Sequence, residues 1–98
     1  MRVFKLHNDK VETLLAWGAE VQLKHKPEAL DSLREENCTR EIFQVFEGNG
    51  QWFLICHMEG ENLLPANMEK ELNQKHREVI MSCIDRPVES EVVYDLKT

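Results

Sequence analysis

The strongest hydrophobic pattern in the sequence is a pair of strand-like runs, residues 41–48 and 51–58, on either side of Asn49-Gly50. An Asn-Gly pair tolerates the two positive φ angles of a type I′ turn, so the pattern predicts a β-hairpin. In the register that this turn imposes, the paired residues are Gly48 and Gln51, Val45 and Leu54, Phe43 and Cys56, and Glu41 and Met58.

Both faces of this hairpin are largely apolar. One face carries Phe43, Val45, Trp52, Leu54, Cys56 and Met58, and the other carries Ile42, Phe46, Phe53 and Ile55 together with Gln44 and His57. A sheet with one face in water alternates apolar and polar residues instead. Each face of the hairpin is therefore expected to be covered.

The rest of the chain is predicted to add three helices and two strands. These are a strand at 2–7, a helix over about 11–22 that Asn8 or Asp9 can cap, a short helix at 27–37, a loop at 60–67, a helix over about 67–83, and a last strand at 91–97. Pro87 fits a helix that has already ended by residue 83.

This order predicts an α+β fold, the ferredoxin-like β-α-β-β-α-β arrangement, in one domain over residues 1–98. Its helices pack on one face of a four-stranded antiparallel sheet, and no sequence is left to cover the other face. Burial of each of four large apolar side chains there is worth roughly 1.5–3 kcal/mol. We therefore expect a homodimer that packs through the helix-free sheet face.

Composition narrows the classes of partner and compartment. The net charge is −6 and the 12 basic residues are scattered, which argues against a nucleic-acid or anionic-membrane surface. No apolar run at the start of the chain is long enough for a signal peptide or a membrane-spanning helix. The three cysteines are odd in number and lack Cys-x-x-Cys spacing. We expect a reduced, cytoplasmic protein without disulfides, a metal site or a cofactor.

A resemblance to a known family rests on the segment His76-Arg77-Glu78-Val79-Ile80-Met81-Ser82-Cys83-Ile84-Asp85. It resembles a small, mainly bacterial family of unknown function that looks like part of the dimeric α/β-barrel superfamily. The hairpin, with Glu41 before it and Glu59-Gly60-Glu61 after it, is similar to the same family. The resemblance implies the fold and the dimer. The superfamily includes haem-degrading and quinone-forming monooxygenases, sugar mutarotases and members without known activity, so no reaction is transferred.

His76 and Glu41 are the candidate catalytic residues. His76 lies on the apolar stripe of the predicted last helix, where an imidazole needs a hydrogen-bond partner and titrates near neutrality as a general acid or base. Glu41 is predicted on the helix-facing side of the sheet, where it could orient His76 across the sheet–helix cleft. The alternatives are a core histidine bonded to a carbonyl or carboxylate, and a glutamate that is a structural tether or reaches solvent.

Five further residues are candidates for lining a pocket: Trp17, Trp52, Cys56, Cys83 and Asp85. Each also has a purely structural interpretation, since large aromatics and thiols are ordinarily core residues. Cys83 lies two helical turns from His76, about 10 Å away, which is too far for a direct Cys–His pair.

Two function classes follow. The first is a small-molecule enzyme or binding protein with one pocket per protomer, in which an isomerase-like proton transfer of the mutarotase kind would need no cofactor. The alternative is a non-catalytic dimeric module that binds a metabolite or another protein. A cofactor-independent monooxygenase or haem-degrading enzyme is the third possibility, because Asn8, Trp52 and His76 are of suitable residue types, although their spacing does not match.

Overall fold

The computed structural model, which describes residues 1–98, consists of one antiparallel sheet and three α-helices. The elements are β1 (Arg2–Leu6), α1 (Val11–Lys24), α2 (Lys26–Glu35), β2 (Arg40–Gly48), β3 (Gln51–Glu59), α3 (Glu71–Cys83) and β4 (Ile84–Val88), with a short 3₁₀ turn (Asn8–Lys10) before α1. The strand order is β2-β3-β1-β4, and every pairing is antiparallel. The predicted α+β class is confirmed, and the order is compatible with a ferredoxin-like fold.

The hairpin forms as the sequence predicts. Asn49 and Gly50 both have positive φ angles, 53° and 76°, as a type I′ turn requires. The register runs from Gly48 opposite Gln51 to Glu41 opposite Met58. Local turn chemistry therefore sets which side chains of β2 and β3 share a face.

The helices cover one face of the sheet. The core cluster joins Leu6 and Leu54 of the sheet to Val11 and Leu14 of α1 and to Cys83 of α3. Only nine of the 98 residues are buried, so this core is small. None of the apolar residues on the opposite face belongs to the cluster or packs against it: Ile42, Phe46, Phe53 and Ile55.

The prediction of the last strand at 91–97 is wrong. The fourth strand is Ile84–Val88, directly after α3, and it contains Pro87 opposite Phe4. Because β4 is an edge strand, the missing N–H of this proline can face away from the ladder and breaks no pairing. The side chains of Val93 and Leu96 beyond it are 92 % and 85 % exposed, and their alternation has no strand to pair with in the protomer.

The predicted helix starts also need correction. Neither Asn8 nor Asp9 forms a side-chain cap at the 3₁₀ turn or at α1. Asn8 instead binds the hairpin: its Nδ2 donates to the carbonyl of Gly50 at 2.8 Å, and its Oδ1 accepts from the Trp52 N–H at 3.0 Å. The third helix starts at Glu71 rather than near residue 67. None of the helices combines the length and apolar character needed to cross a bilayer.

Candidate functional site

A cavity of about 410 Å³ lies between α2, α3 and the end of the hairpin that is remote from its turn. Ten of its 17 lining residues are hydrophobic, and its volume falls within the range of about 300–1,000 Å³ that is typical of small-molecule sites. The ionisable side chains on its wall are Glu36, Glu41, His76 and Arg77. The two predicted catalytic residues therefore face the same cavity.

His76 is held by a hydrogen bond from a distant aromatic residue. Trp17 on α1 donates its Nε1–H to Nδ1 of His76 at 3.0 Å, and the ring of Phe43 lies 5.3 Å from the imidazole between centroids. An indole N–H can only donate, so Nδ1 must be the unprotonated nitrogen, and the neutral ring carries its proton on Nε2. Burial lowers the pKa of His76, which favours this neutral form.

This geometry changes the expected role of His76. Its Nδ1 lone pair is used by Trp17, and its Nε2–H makes no hydrogen bond within the protein. At neutral pH the residue is therefore a hydrogen-bond donor rather than a base. A core histidine bonded to a backbone carbonyl or a carboxylate was the alternative interpretation, but the partner of His76 is an indole N–H. The predicted pairing with Glu41 does not form either.

Glu41 lies at the start of β2, opposite Met58. It makes no hydrogen bond with His76. It also makes no ion pair with His76, and the three ion pairs of the protein join other residues. Burial of the carboxylate, and secondarily the charge of Glu36, raise the pKa of Glu41. The residue as a whole is exposed, and it also lines the mainly apolar cavity.

Glu36, just after α2, is a site residue that sequence reasoning missed. It is only 6 % exposed, and its Oε2 accepts a hydrogen bond from the Ser32 hydroxyl at 2.8 Å. The Ser32 oxygen in turn accepts from Nδ2 of Asn73 on α3 at 2.9 Å. The only available signal was the i, i+4 spacing of Ser32 and Glu36, which places them on one helix face.

The loop after β3 closes one side of the cavity. The N–H of Leu64 donates to the carbonyl of Glu36 at 2.9 Å, and Asn37 donates from Nδ2 to the carbonyl of Asn62 at 3.0 Å. Gly60 passes so close to α2 that a Cβ there would lie 2.1 Å from the carbonyl oxygen of Asn37. This loop is therefore a fixed wall of the site.

None of the five residues proposed to line a pocket lines this cavity. Trp17 lines an open depression between α1 and α3 and reaches the site only through His76. Trp52 and Cys56 pack against the core, Cys83 is fully buried, and Asp85 is exposed on β4. The cavity is instead lined mostly by residues of α2, α3 and the loop between β3 and α3.

The Cys56 thiol and the arrangement of potential metal ligands bear on the chemistry of the protein. Burial, and then the charge of Glu41 opposed by Arg2, raise the pKa of Cys56 to about 11, so its reactive thiolate is scarce at neutral pH. No group of three or more His, Cys, Asp or Glu side chains is arranged to hold a metal ion.

Comparison with known proteins identifies the family. A family of unknown function (DUF6176) matches residues 1–98, and the chain belongs to this family. No curated protein and no solved structure matches the chain. The family carries no assigned activity, so functional inference rests on the cavity itself.

Proposed function

We propose that this member of the DUF6176 family binds a small, mainly apolar molecule in the cavity between α2, α3 and the hairpin. The observation that carries the proposal is the preset orientation of His76. The Trp17 indole fixes the tautomer of His76, so the free Nε2–H of this imidazole is a fixed donor on a mainly apolar wall that also carries Glu36, Glu41 and Arg77. A few fixed polar groups in a concave apolar wall are typical of a small-molecule site.

The lining also bears on the class of ligand. A sugar has many hydroxyl groups, and each one buried without a partner would cost free energy. With ten hydrophobic residues on its wall, the cavity favours a compound with an apolar body and one polar end. This argues against the sugar substrate of a mutarotase.

A second candidate function is an isomerase-like proton transfer, favoured by the placement of Glu41 and His76 on one cavity wall. Glu41 would remove a proton from the carbon next to a carbonyl group, while the His76 Nε2–H donates to the carbonyl oxygen as its negative charge develops. In a β,γ-unsaturated carbonyl compound, the proton would return from Glu41 to the γ carbon, which moves the double bond into conjugation and regenerates the carbonyl group and the Glu41 carboxylate. A neutral imidazole donor beside a carboxylate base is an established arrangement for this chemistry. The raised pKa of Glu41 makes it a stronger base than an ordinary glutamate.

The test is a thermal-shift screen of small carbonyl compounds, alcohols and amines, since a ligand specific for the native state raises the melting temperature. His76→Phe keeps an aromatic ring but removes the donor. We expect it to abolish the shift given by the best carbonyl compound, whose oxygen accepts from this donor, whereas His7→Phe, at an exposed imidazole outside the cavity, should leave it unchanged. Equal shifts in the wild type and in His76→Phe would contradict the proposal.

The two candidates separate on Glu41→Gln. If the site only binds, this variant still gives the thermal shift with a neutral carbonyl compound, which does not depend on the charge of Glu41. If the site transfers protons, the wild type catalyses deuterium exchange from heavy water into a bound carbonyl compound and Glu41→Gln does not. A wild type that binds the compound without exchange would identify a non-catalytic binding protein.

We further propose a homodimer through the helix-free sheet face, as the resemblance to the dimeric α/β-barrel superfamily implies. The protomer exposes 7725 Å², whereas a folded monomer of 11.5 kDa is expected to expose roughly 5,800 Å². The free C-terminal segment contributes part of the difference. The helix-free face carries Ile42, Phe46, Phe53 and Ile55, none of which packs against the core cluster, and a stable interface of standard size covers about 800 Å² of such surface per partner.

Sedimentation equilibrium tests the dimer. Ile55→Lys places a charge on the helix-free face, and we expect it to give a monomer. Leu23→Lys, at an 83 % exposed leucine on α1, is the matched control and should remain dimeric. A monomeric wild type at micromolar concentration would contradict the proposed assembly.

A further inference from the structure

Two carboxylates share the cavity without a cationic partner. Glu36 is 6 % exposed, and only its Oε2 is hydrogen-bonded, to Ser32. Its second oxygen has no hydrogen-bond partner in the protein. The only fully buried side-chain N or O atom without a partner is Nδ1 of His57, so this oxygen of Glu36 is accessible, and the residue lines the cavity. Glu41 lines the same cavity, and neither glutamate is within ion-pair distance of a lysine, arginine or histidine.

This arrangement is electrostatically incomplete. A carboxylate can accept about four hydrogen bonds, and a buried charge is costly unless it is paired or well hydrogen-bonded. Arg77 also lines the cavity, but it is exposed and bonds neither carboxylate. The site therefore has unused capacity for positive charge beside an apolar wall.

We infer that the ligand carries a protonated amine, which would lie between the carboxylates of Glu36 and Glu41 with its apolar body against the cavity wall. The inference rests on the small-molecule site proposed above and names the chemical class of its ligand. The unpartnered oxygen of Glu36 would accept one ammonium N–H, and Glu41 would supply the second negative charge. The apolar body would contact Leu33, Met58, Leu72 and Ile80, which belong to the cavity wall.

A metal ion fits the same carboxylates less well. The third potential ligand, His76, uses Nδ1 to accept from Trp17 and carries its proton on Nε2. No group of three metal-binding side chains is present. An ammonium group requires only acceptor oxygens, which the two glutamates provide.

The test uses three probes that differ only at the polar end: phenethylamine, phenethyl alcohol and phenylpropionate. Their dissociation constants are measured by calorimetry, and their site is located by NMR shifts of the Met58 methyl and the Trp17 indole N–H. We expect the amine to bind most tightly. Glu36→Gln retains an acceptor for Ser32 but removes the charge, and it should weaken amine binding about tenfold or more, because hydrogen bonds to charged groups contribute about 1.5–3 kcal/mol.

Two controls make the result specific. Glu47→Gln makes the same change of charge on an exposed residue of β2 outside the cavity and should leave the affinity unchanged. Binding of the amine at an acidic pH where Glu41 is partly protonated should also release protons, because a nearby positive charge lowers the raised pKa of Glu41. Calorimetry in buffers of different ionisation enthalpy measures this release, which the alcohol should not produce.

The outcomes separate this inference from the proposal beneath it. If the alcohol binds at the cavity as tightly as the amine, or if Glu36→Gln binds the amine as well as the wild type, the cationic ligand class is wrong and the small-molecule site stands. If none of the probes perturbs the resonances of Met58 and Trp17, the ligand class and the proposed site both fail.

Discussion

Replacement of Trp17 by Phe tests the interaction that defines the site. The indole is 6 % exposed and donates to Nδ1 of His76 at 3.0 Å. Its loss leaves a half-buried acceptor unpaired, at a cost of about 1–3 kcal/mol. For a domain of this size, each kcal/mol corresponds to roughly 4–8 °C in melting temperature. The smaller ring also loses packing, so the variant needs a control that separates the two effects.

Trp52→Phe is that control, because Trp52 packs against the core but its indole donates no hydrogen bond. We expect Trp17→Phe to be less stable than Trp52→Phe by about 1–3 kcal/mol in urea denaturation. The pKa of His76 should also rise towards its ordinary value of 6.5 in Trp17→Phe, since Nδ1 is then free to take a proton, and should stay low in Trp52→Phe.

Long-range ¹H–¹⁵N NMR of the imidazoles reads the tautomer and the titration directly. In the wild type, we expect His76 to carry its proton on Nε2 and to have a pKa below the ordinary value of 6.5. Because its pKa is lowered on folding, the wild type should lose stability as pH falls below 6.5, where the unfolded chain takes up a proton that the folded chain does not. A wild-type His76 that carries its proton on Nδ1, or that titrates at the ordinary value, would refute the argument.

Three further predictions concern the carboxylate, the loop and the thiols. Glu41→Gln should be more stable than the wild type at neutral pH. The pKa of Glu41 is raised above 4.5 on folding, so the wild type loses stability as pH rises from 4.5 through the pKa of the folded state. Urea denaturation should show the stability difference between the two proteins shrinking towards pH 4.5, and a difference that is constant with pH would contradict the prediction. Gly60→Ala should lower the free energy of unfolding by roughly 1–3 kcal/mol, because its Cβ would meet the carbonyl of Asn37. Gly18→Ala in α1, where a Cβ has nothing within 4 Å, should raise it by about 0.5–1 kcal/mol. Thermal denaturation of the two variants measures both effects. With a pKa of about 11, only about one part in 10⁴ of Cys56 is thiolate at pH 7. A thiol reagent should therefore label Cys56 far more slowly in the native protein than in urea. Rapid labelling of the native protein would contradict this prediction.

The parts of the fold that the sequence predicts correctly depend on local chemistry. Asn49-Gly50 fixes the turn, and the turn fixes the register of β2 and β3. The prediction of a last strand at 91–97 is wrong because alternation of apolar and polar residues shows that a segment could form a strand. It does not show whether a sheet edge is free to pair with that segment, and Ile84–Val88 already pairs with β1. Pro87 does follow the end of α3, as the sequence indicates, but it lies within β4, because an edge strand tolerates proline.

The site was predictable only in part, for a physical reason. His76 could be recognised as a polar residue on an apolar stripe, and Glu41 could be placed by the hairpin register. The partner of His76 lies 59 residues away on another helix, and no pattern within the chain reports such a contact. The sequence pattern around Glu36 does not report its burial, which depends on the contact between the end of α2 and the loop after β3.

The most direct test of the site is a crystal structure of the protein with the tightest-binding compound of the thermal-shift screen. The compound should lie in the cavity with a polar atom about 2.7–3.2 Å from Nε2 of His76 or from a carboxylate oxygen of Glu36 or Glu41, and the Trp17 indole should still bind Nδ1. A compound bound elsewhere, with the cavity filled by the protein's own side chains, would contradict the account.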